Sequence, residues 1–419
     1  MTSLVVRDAA AVFSAPEPAP IRGAAFEDVE ALSGASVNCD GRTIDSIGEP
    51  RTGDTVFDAS GCAVIPGFVD CHTHLPFFGW RANEDVERLG GASYESLHSS
   101  ERGIYRSSQL LRDASDQDVL SFSETLAGAM LAAGTTTFET KSGYGLSVEE
   151  ELRQLRIARW LKRRLPQLVI PTCLAAHAVP TDKDADGWIA EVLDQLLPRV
   201  AGEELASFTD IYVEEIAFTQ QHATRLSERG RDLGMRPRVH ADQLVDGGTG
   251  TFAAQRRFVS ADHLNQTSAE GVAALAGSDT AAVLLPGSSF TLRQERKPAA
   301  RDLIDSGAIV ALGTDLNPGT SPILSMPFVI ALACRLYELR PVEAVVAATV
   351  NSAWVLGVHD QVGRLAPGYR ADMVVLQMRH WDEISYRPDA DPVLAVFCRG
   401  EVAHIAPHAQ SRLRTSTAQ

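Results

Sequence analysis

Between Val64 and Gly357 the chain repeats one pattern eight times. A short apolar run, rich in Val, Ile, Leu, Phe or Thr, stops at a polar residue and gives way to a helix-like stretch. The runs fall at Val64–Asp70, Thr135–Glu139, Leu168–Ala175, Ile211–Val213, Arg236–His240, Phe258–Asp262, Ala281–Leu285 and Ala308–Gly313. Runs of this kind suit strands buried on both faces, which is the situation of a parallel sheet. Parallel strands need crossover connections, and Val119–Ala133, Val148–Leu165, Ala190–Val200 and Ala299–Ser306 have helical character. Eight such units predict an α/β chain folded as a (β/α)8 TIM barrel. An open doubly wound sheet is the competing arrangement. No G-x-G-x-x-G follows the first strand, and chemically capable residues follow nearly every strand, which favours the closed barrel.

The flanks read differently. Residues 1–62 contain the turn signal Asp40-Gly41 between strand-like segments, and residues 363–419 again look like strands joined by turns. The two ends are expected to meet in one small composite β-sandwich domain, leaving residues 63–362 as the barrel. The last residues, from Pro407, are expected to fray.

Composition excludes several roles. A net charge of −16 argues against nucleic acid or an anionic membrane as partner. No run approaches the roughly 20 apolar residues of a membrane span, and the first residues lack a secretory pattern. Six scattered cysteines without CxxC spacing fit reduced thiols in a cytoplasmic protein.

Active sites of such barrels lie where strands end at their carboxyl side. Reading those ends in order gives His72 and His74, Lys141 to Tyr144, His177, Glu214, His240 with Gln243, His263, and Asp315. A strand ending in His-x-His points both imidazoles the same way. His72, His74, His240 and Asp315 form a His3Asp set suited to one zinc or iron ion with a position left for water. A dication there lowers the pKa of bound water toward about 7. Asp315 is placed both to touch the ion and to take the proton of attacking water; taken alone, it reads equally as a turn residue before Asn317-Pro318. Cys71 faces opposite to its neighbour His72 and reads as core filler. Lys141 invites a carbamylated two-metal site, which a complete single-metal set elsewhere makes unnecessary.

The segments HTH, HAD, SADH and TD at strands one, five, six and eight resemble the signature of the amidohydrolase superfamily. Within it, Arg81–Leu97 (RANEDVERLGGASYESL), Lys141–Leu146 (KSGYGL), His240–Leu244 (HADQL), Leu284–Arg293 (LLPGSSFTLR) and Thr314–Pro322 (TDLNPGTSP) are similar to the imidazolonepropionase family, which opens a ring in histidine degradation. The resemblance implies hydrolysis of 4-imidazolone-5-propanoate to N-formimino-L-glutamate. It implies His72, His74, His240 and Asp315 as metal ligands. Arg81, Tyr144 and His177 would hold substrate, with Asn317, Gly319 and Thr320 contacting substrate or product. Gln243 and His263 would sit beside the reacting carbonyl, and His177, His263, Gln243 and Asp315 would be catalytic. A homodimer is also implied, with the helix-like Ile330–Leu339 serving either a subunit contact or the core.

Physical chemistry agrees with these roles. A propionate calls for a bidentate, permanently charged partner such as Arg81. The small neighbours of Tyr144 would let a ligand approach closely. A near-neutral histidine polarises a carbonyl or protonates a leaving nitrogen well.

The sequence departs from the family pattern at Phe78 and Trp80, at Glu101-Arg102, and at Tyr212–Phe218. Bulky Phe78 and Trp80 beside the metal would narrow the pocket, which supports a second reading: the same mechanism on a bulkier cyclic amide, hydantoin- or lactam-like. A deaminase needs a carboxylic acid where Gln243 stands, and an amide does not titrate. A non-catalytic binding protein would have lost a ligand, and none of the four is missing.

Overall fold

The computed structural model describes residues 3–91 and 102–415. Eight strands run parallel in chain order. They are β1 (Phe68–Asp70), β2 (Thr135–Lys141), β3 (Leu168–Ala176), β4 (Phe208–Val213), β5 (Val239–Ala241), β6 (Ser260–His263), β7 (Ala281–Leu284) and β8 (Val310–Leu312). Just past their ends β1 and β8 are joined by a parallel bridge, Thr73 to Leu316, and by Asp315 N–H donating to the His72 carbonyl at 2.9 Å. Asp70 adds a side-chain tie there, accepting from the Thr314 hydroxyl at 2.6 Å and its N–H at 3.0 Å. The sheet thereby closes into the expected barrel.

The strand expected at Val64–Asp70 is in fact two. Ala63–Pro66 belongs to a six-stranded sheet with Met373–Leu376 on one side and Ala11–Ser14 on the other, and the chain then passes Gly67 into β1. An uninterrupted apolar run carries no mark of which sheet each half will join. A second, five-stranded sheet holds Ser3–Arg7, Ser36–Asp40, Thr43–Gly48, Thr55–Asp58 and Leu413–Thr415. The two sheets share one apolar cluster, in which Phe57 and Phe397 meet edge to face at 5.7 Å. The tail does not fray at Pro407: Leu413–Thr415 pairs antiparallel with Thr55–Asp58, since an unpaired sheet edge was available to it.

Several helices begin where a side chain accepts an orphan N–H of the first turn. Ser115 caps Asp116–Ala132 and Ser147 caps Val148–Arg164. The helix expected at Ala190–Val200 extends from Ala185 to Gly202 with a π-helical middle, Val192–Leu196. The apolar segment near Ile330 is helix Met326–Leu336, whose Met326, Val329, Ile330 and Ala333 are fully buried in the main core. Those residues are therefore core, while Phe328, Cys334 and Leu336 of the same helix are half-buried. No described helix is long and apolar enough to cross a membrane.

Candidate metal centre and pocket

The His-x-His pair sits just beyond β1, with both ring Nε2 atoms 3.2 Å apart. Asp315 Oδ1 lies 3.3 Å from His74 Nε2 and 3.6 Å from His72 Nε2. The ring of His240, at the end of β5, is 4.7 Å from that of His72. His72, His74 and His240 form one group able to hold an ion, and His72, His263 and Asp315 form another. Donor atoms that share an ion at about 2.0–2.2 Å are spaced in this way.

Hydrogen bonds decide which nitrogen of two rings is available. His72 Nδ1 is 2.6 Å from Asp262 Oδ2, and His240 Nδ1 is 3.2 Å from Asp210. A carboxylate can only accept, so each ring carries its proton on Nδ1 and turns the Nε2 lone pair into the site. The Nε2 of His240 is buried without a hydrogen-bond partner among the described residues. A buried lone pair of this kind, beside a carboxylate, fits a cation.

Burial holds His72, His74 and His177 well below the ordinary histidine range, so they are neutral and able to ligate or accept. His263 is pushed down to about 3, by burial first and partly offset by Asp315. Burial raises Asp315, while His263 and His240 draw it back. His263 and Asp315 both have positive φ, +80° and +55°, a conformation that non-glycine residues hold only where the surroundings enforce it.

Above these residues a pocket opens, lined by His74, Arg81, Ile104, Tyr144, His177, Tyr212, His240, Gln243, His263, Asp315, Asn317 and Thr320. Of the residues expected to hold metal or substrate or to catalyse, all but His72 and Gly319 stand in its wall; of the other strand-end residues, Lys141 and Glu214 do not. His72 lies beneath it, fully buried. Gly319 backs Arg81: a Cβ there would fall 1.6 Å from the guanidinium, so any side chain would evict it. Arg81 is buried beside Glu84 at 3.3 Å and Ser107 at 3.3 Å. His177 stacks on His74 with centroids 4.9 Å apart, and Tyr144 is 5.4 Å from His177.

Several loop residues have a scaffold role that the sequence reading did not see. Glycines 143 and 145 were expected to admit a ligand; instead they admit protein. A Cβ on Gly143 would strike the Leu174 carbonyl at 2.7 Å, and one on Gly145 the Glu151 backbone at 2.3 Å. Glu151 and Gln154 then reach back from their helix to accept the N–H groups of Gly143, Tyr144 and Leu146. Asn317 Oδ1 accepts from Gly319 N–H, Thr320 N–H and the Thr320 hydroxyl, which fixes the loop as an Asx turn. Glu214 does the same for Gln243 and Leu244, whose N–H groups donate to its Oε1 at 2.7 and 2.8 Å.

Phe78 and Trp80 do not narrow the pocket. Both turn outward onto Phe122, at 5.5 and 6.0 Å, and Trp80 also meets Phe77 at 5.3 Å. Apolar rings find a better partner in one another than in a polar cavity. Of the Glu101-Arg102 departure, Glu101 lies outside the described residues, as do Ala92–Leu97 of the RANE segment. Arg102 is paired with Glu87 at 2.6 Å, and the pocket receives Ile104 two residues later. Cys71 turns away from the site, its Sγ 3.4 Å from the Leu312 carbonyl. Lys141 is engaged by Asp210 at 2.7 Å and Glu139 at 2.9 Å, which leaves it no part in a carbamylated bridge.

Residues 63–403 match the amidohydrolase family. Along its length the chain is 41% identical over 409 residues to the imidazolonepropionase of Rubrobacter xylanophilus, covering 95% of this chain and 98% of that one. It is likewise 41% identical to the imidazolonepropionase of Symbiobacterium thermophilum, covering 91% and 93%. The chain belongs to the imidazolonepropionase family of amidohydrolases. Among solved structures, a triazine hydrolase variant superposes with a TM-score of 0.73 at 16% identity, covering 96% of this chain and 94% of that one. Guanine deaminase from E. coli gives 0.70 at 15%, covering 97% and 100%. At such identities these two speak for the fold of this family member, and for nothing finer.

Ile104, Arg238 and the acids Asp210 and Asp262 escaped the sequence reading, and Tyr212 entered it only as a departure from the family pattern. A signal for some of them existed. Side chains two apart on a strand share a face, so stepping back two residues from His240 reaches Arg238, and from Tyr212 reaches Asp210.

Proposed function

We propose that the protein hydrolyses 4-imidazolone-5-propanoate to N-formimino-L-glutamate, using one divalent ion, zinc or iron, held by His72, His74, His240 and Asp315. The observation that carries this reading is the near full-length identity to imidazolonepropionases together with a pocket that combines this donor set with Arg81, Tyr144 and His177. A divalent ion in the centre would polarise the ring carbonyl and supply hydroxide from water near neutral pH.

The protein's own groups do the rest. Arg81 pairs with the propionate carboxylate at the pocket rim, its fork giving the substrate one orientation. Tyr144 and His177 flank the ring, with His177 kept neutral by burial. Asp315, whose proton affinity burial raises, accepts a proton from the attacking water. His263 and Gln243 face the carbonyl undergoing attack, and the departing ring nitrogen takes the proton back as the C–N bond breaks. Asn317, Gly319 and Thr320 hold the rim against which substrate or product rests.

The bulkier cyclic amide loses its support, because Phe78 and Trp80 lie outside the pocket. Deamination lacks a titratable acid at Gln243. A cytoplasmic setting fits the six cysteines, all free. A homodimer completes the reading, and light scattering on the purified protein checks it. The deciding test incubates metal-loaded protein with 4-imidazolone-5-propanoate and follows the ring absorbance. The expected outcome is its loss with formiminoglutamate appearing. Persistence of the ring, with loss of a hydantoin or lactam instead, reverses the assignment.

A further inference from the structure

Beneath the pocket lies a layer of charge that the reaction does not touch. Glu139, Lys141, Asp210, Arg238 and Asp262 come from β2, β4, β6 and the residue before β5, and each is fully shielded from solvent. Lys141 Nζ sits 2.7 Å from Asp210 and 2.9 Å from Glu139. Arg238 spans the same space from the other side, its Nη2 2.7 Å from Asp262 Oδ2, its Nη1 on Glu139 and its Nε 2.9 Å from the Ser260 hydroxyl. Asp210 and Asp262 are the two carboxylates that face His240 and His72.

An isolated pair of buried ions seldom stabilises a fold, so five of them call for another reason. The arrangement supplies one. A carboxylate that is to hold an imidazole proton must not swing toward another donor: Lys141 holds Asp210 Oδ2, and Arg238 binds the same Asp262 Oδ2 that faces His72, leaving Asp262 Oδ1 without a hydrogen-bond partner among the described residues. Glu139, Asp210 and Asp262 are three carboxylates to two cations, so the layer keeps an acceptor surplus beneath the site, to which buried Asp70 and Asp315 add.

We propose that Lys141 and Arg238 are positioning residues of the metal centre: by fixing Asp210 and Asp262 they set the ring orientation and tautomer of His240 and His72, and so the affinity for the ion. The proposal rests on the metal reading of the site. Purified metal-free wild type, Lys141→Met and Arg238→Lys are checked for folding by circular dichroism. Each is then titrated with Zn2+ against a chromophoric chelator and with Co2+ by visible absorption. Loss of the carboxylate clamp is expected to weaken zinc binding by about 10- to 100-fold and to shift or weaken the cobalt bands. Arg238→Lys keeps the charge but gives up the fork, so its loss should be the smaller. Folded variants with wild-type zinc affinity and an unchanged cobalt spectrum overturn the proposal, because a merely structural role moves neither. Should Lys141→Met fail to fold, Arg238→Lys decides alone, and its failure to fold counts equally against the proposal. Wild type that takes up neither ion fails the metal reading instead.

Discussion

The apolar interior of the composite sheets and the charged layer under the barrel mouth are both closed to water, yet they are built from opposite materials. In the first, Leu4, Val37, Phe57, Val64, Met373 and Phe397 pack as an apolar cluster, and the buried charges Arg364 and Asp372 stand next in the chain to its members Leu365 and Met373. In the second, Glu139, Lys141, Asp210, Arg238 and Asp262 are every bit as hidden. Burying apolar surface stabilises in proportion to area and tolerates reshuffling. Burying charge costs desolvation, which is recovered only in one exact pairing. The sheet domain is therefore a scaffold whose details are replaceable, whereas the mouth is a fixed geometry maintained against the cost of its own burial.

That contrast can be broken most decisively at Asp315. Asp315→Asn would remove both the proposed ligand and the proposed proton acceptor with little change of volume, and kcat is expected to fall by about 10⁴-fold or more, while the thermal midpoint of the metal-free protein holds or rises. Comparable loss of folding stability would erase the distinction between the layers.

The converse substitution is Phe57→Ala, in the sheet core. It should cost about 3–5 kcal/mol of stability in urea unfolding and leave kcat/KM within about twofold at low temperature. A large kinetic effect would mean that the sheet domain shapes the site after all.

Arg81→Lys tests the rim. It keeps the charge and loses the fork, so kcat/KM for the propionate substrate should drop about 10- to 100-fold, chiefly through KM. An analogue lacking the carboxylate should be indifferent to the change. Equal losses for both substrates would remove Arg81 from carboxylate recognition.

A smaller effect is expected at Trp80→Ala. Because Trp80 packs on Phe77 and Phe122 outside the pocket, kcat/KM should move by less than about threefold. A gain of activity on larger cyclic amides would restore the narrowed-pocket reading. Last, the thiols should be nearly silent. Burial pushes Cys39, Cys71 and Cys173 up to about 12, so their thiolate fraction at pH 8 is negligible. Partly exposed Cys334, at about 11, should react first with a thiol reagent, and slowly.

Local pattern in the sequence was enough for the barrel, because each strand-helix unit announces itself within its own span. It was enough, too, to pick out the proposed donors, since the carboxyl end of a strand is a place that can be read along the chain, and His72, His74, His240 and Asp315 all stand there. The direction in which Phe78 and Trp80 turn was decided by Phe122, more than forty positions away, and no local period records that choice. The same holds for Ala63–Pro66, which leaves its own run to pair with Met373–Leu376. The charged layer depended most on tertiary structure. Alternation places Arg238 and Asp210 on the inner face, but only closure of the barrel brings them together with Glu139, Lys141 and Asp262, and in a closed interior each charge must find its partner on another strand.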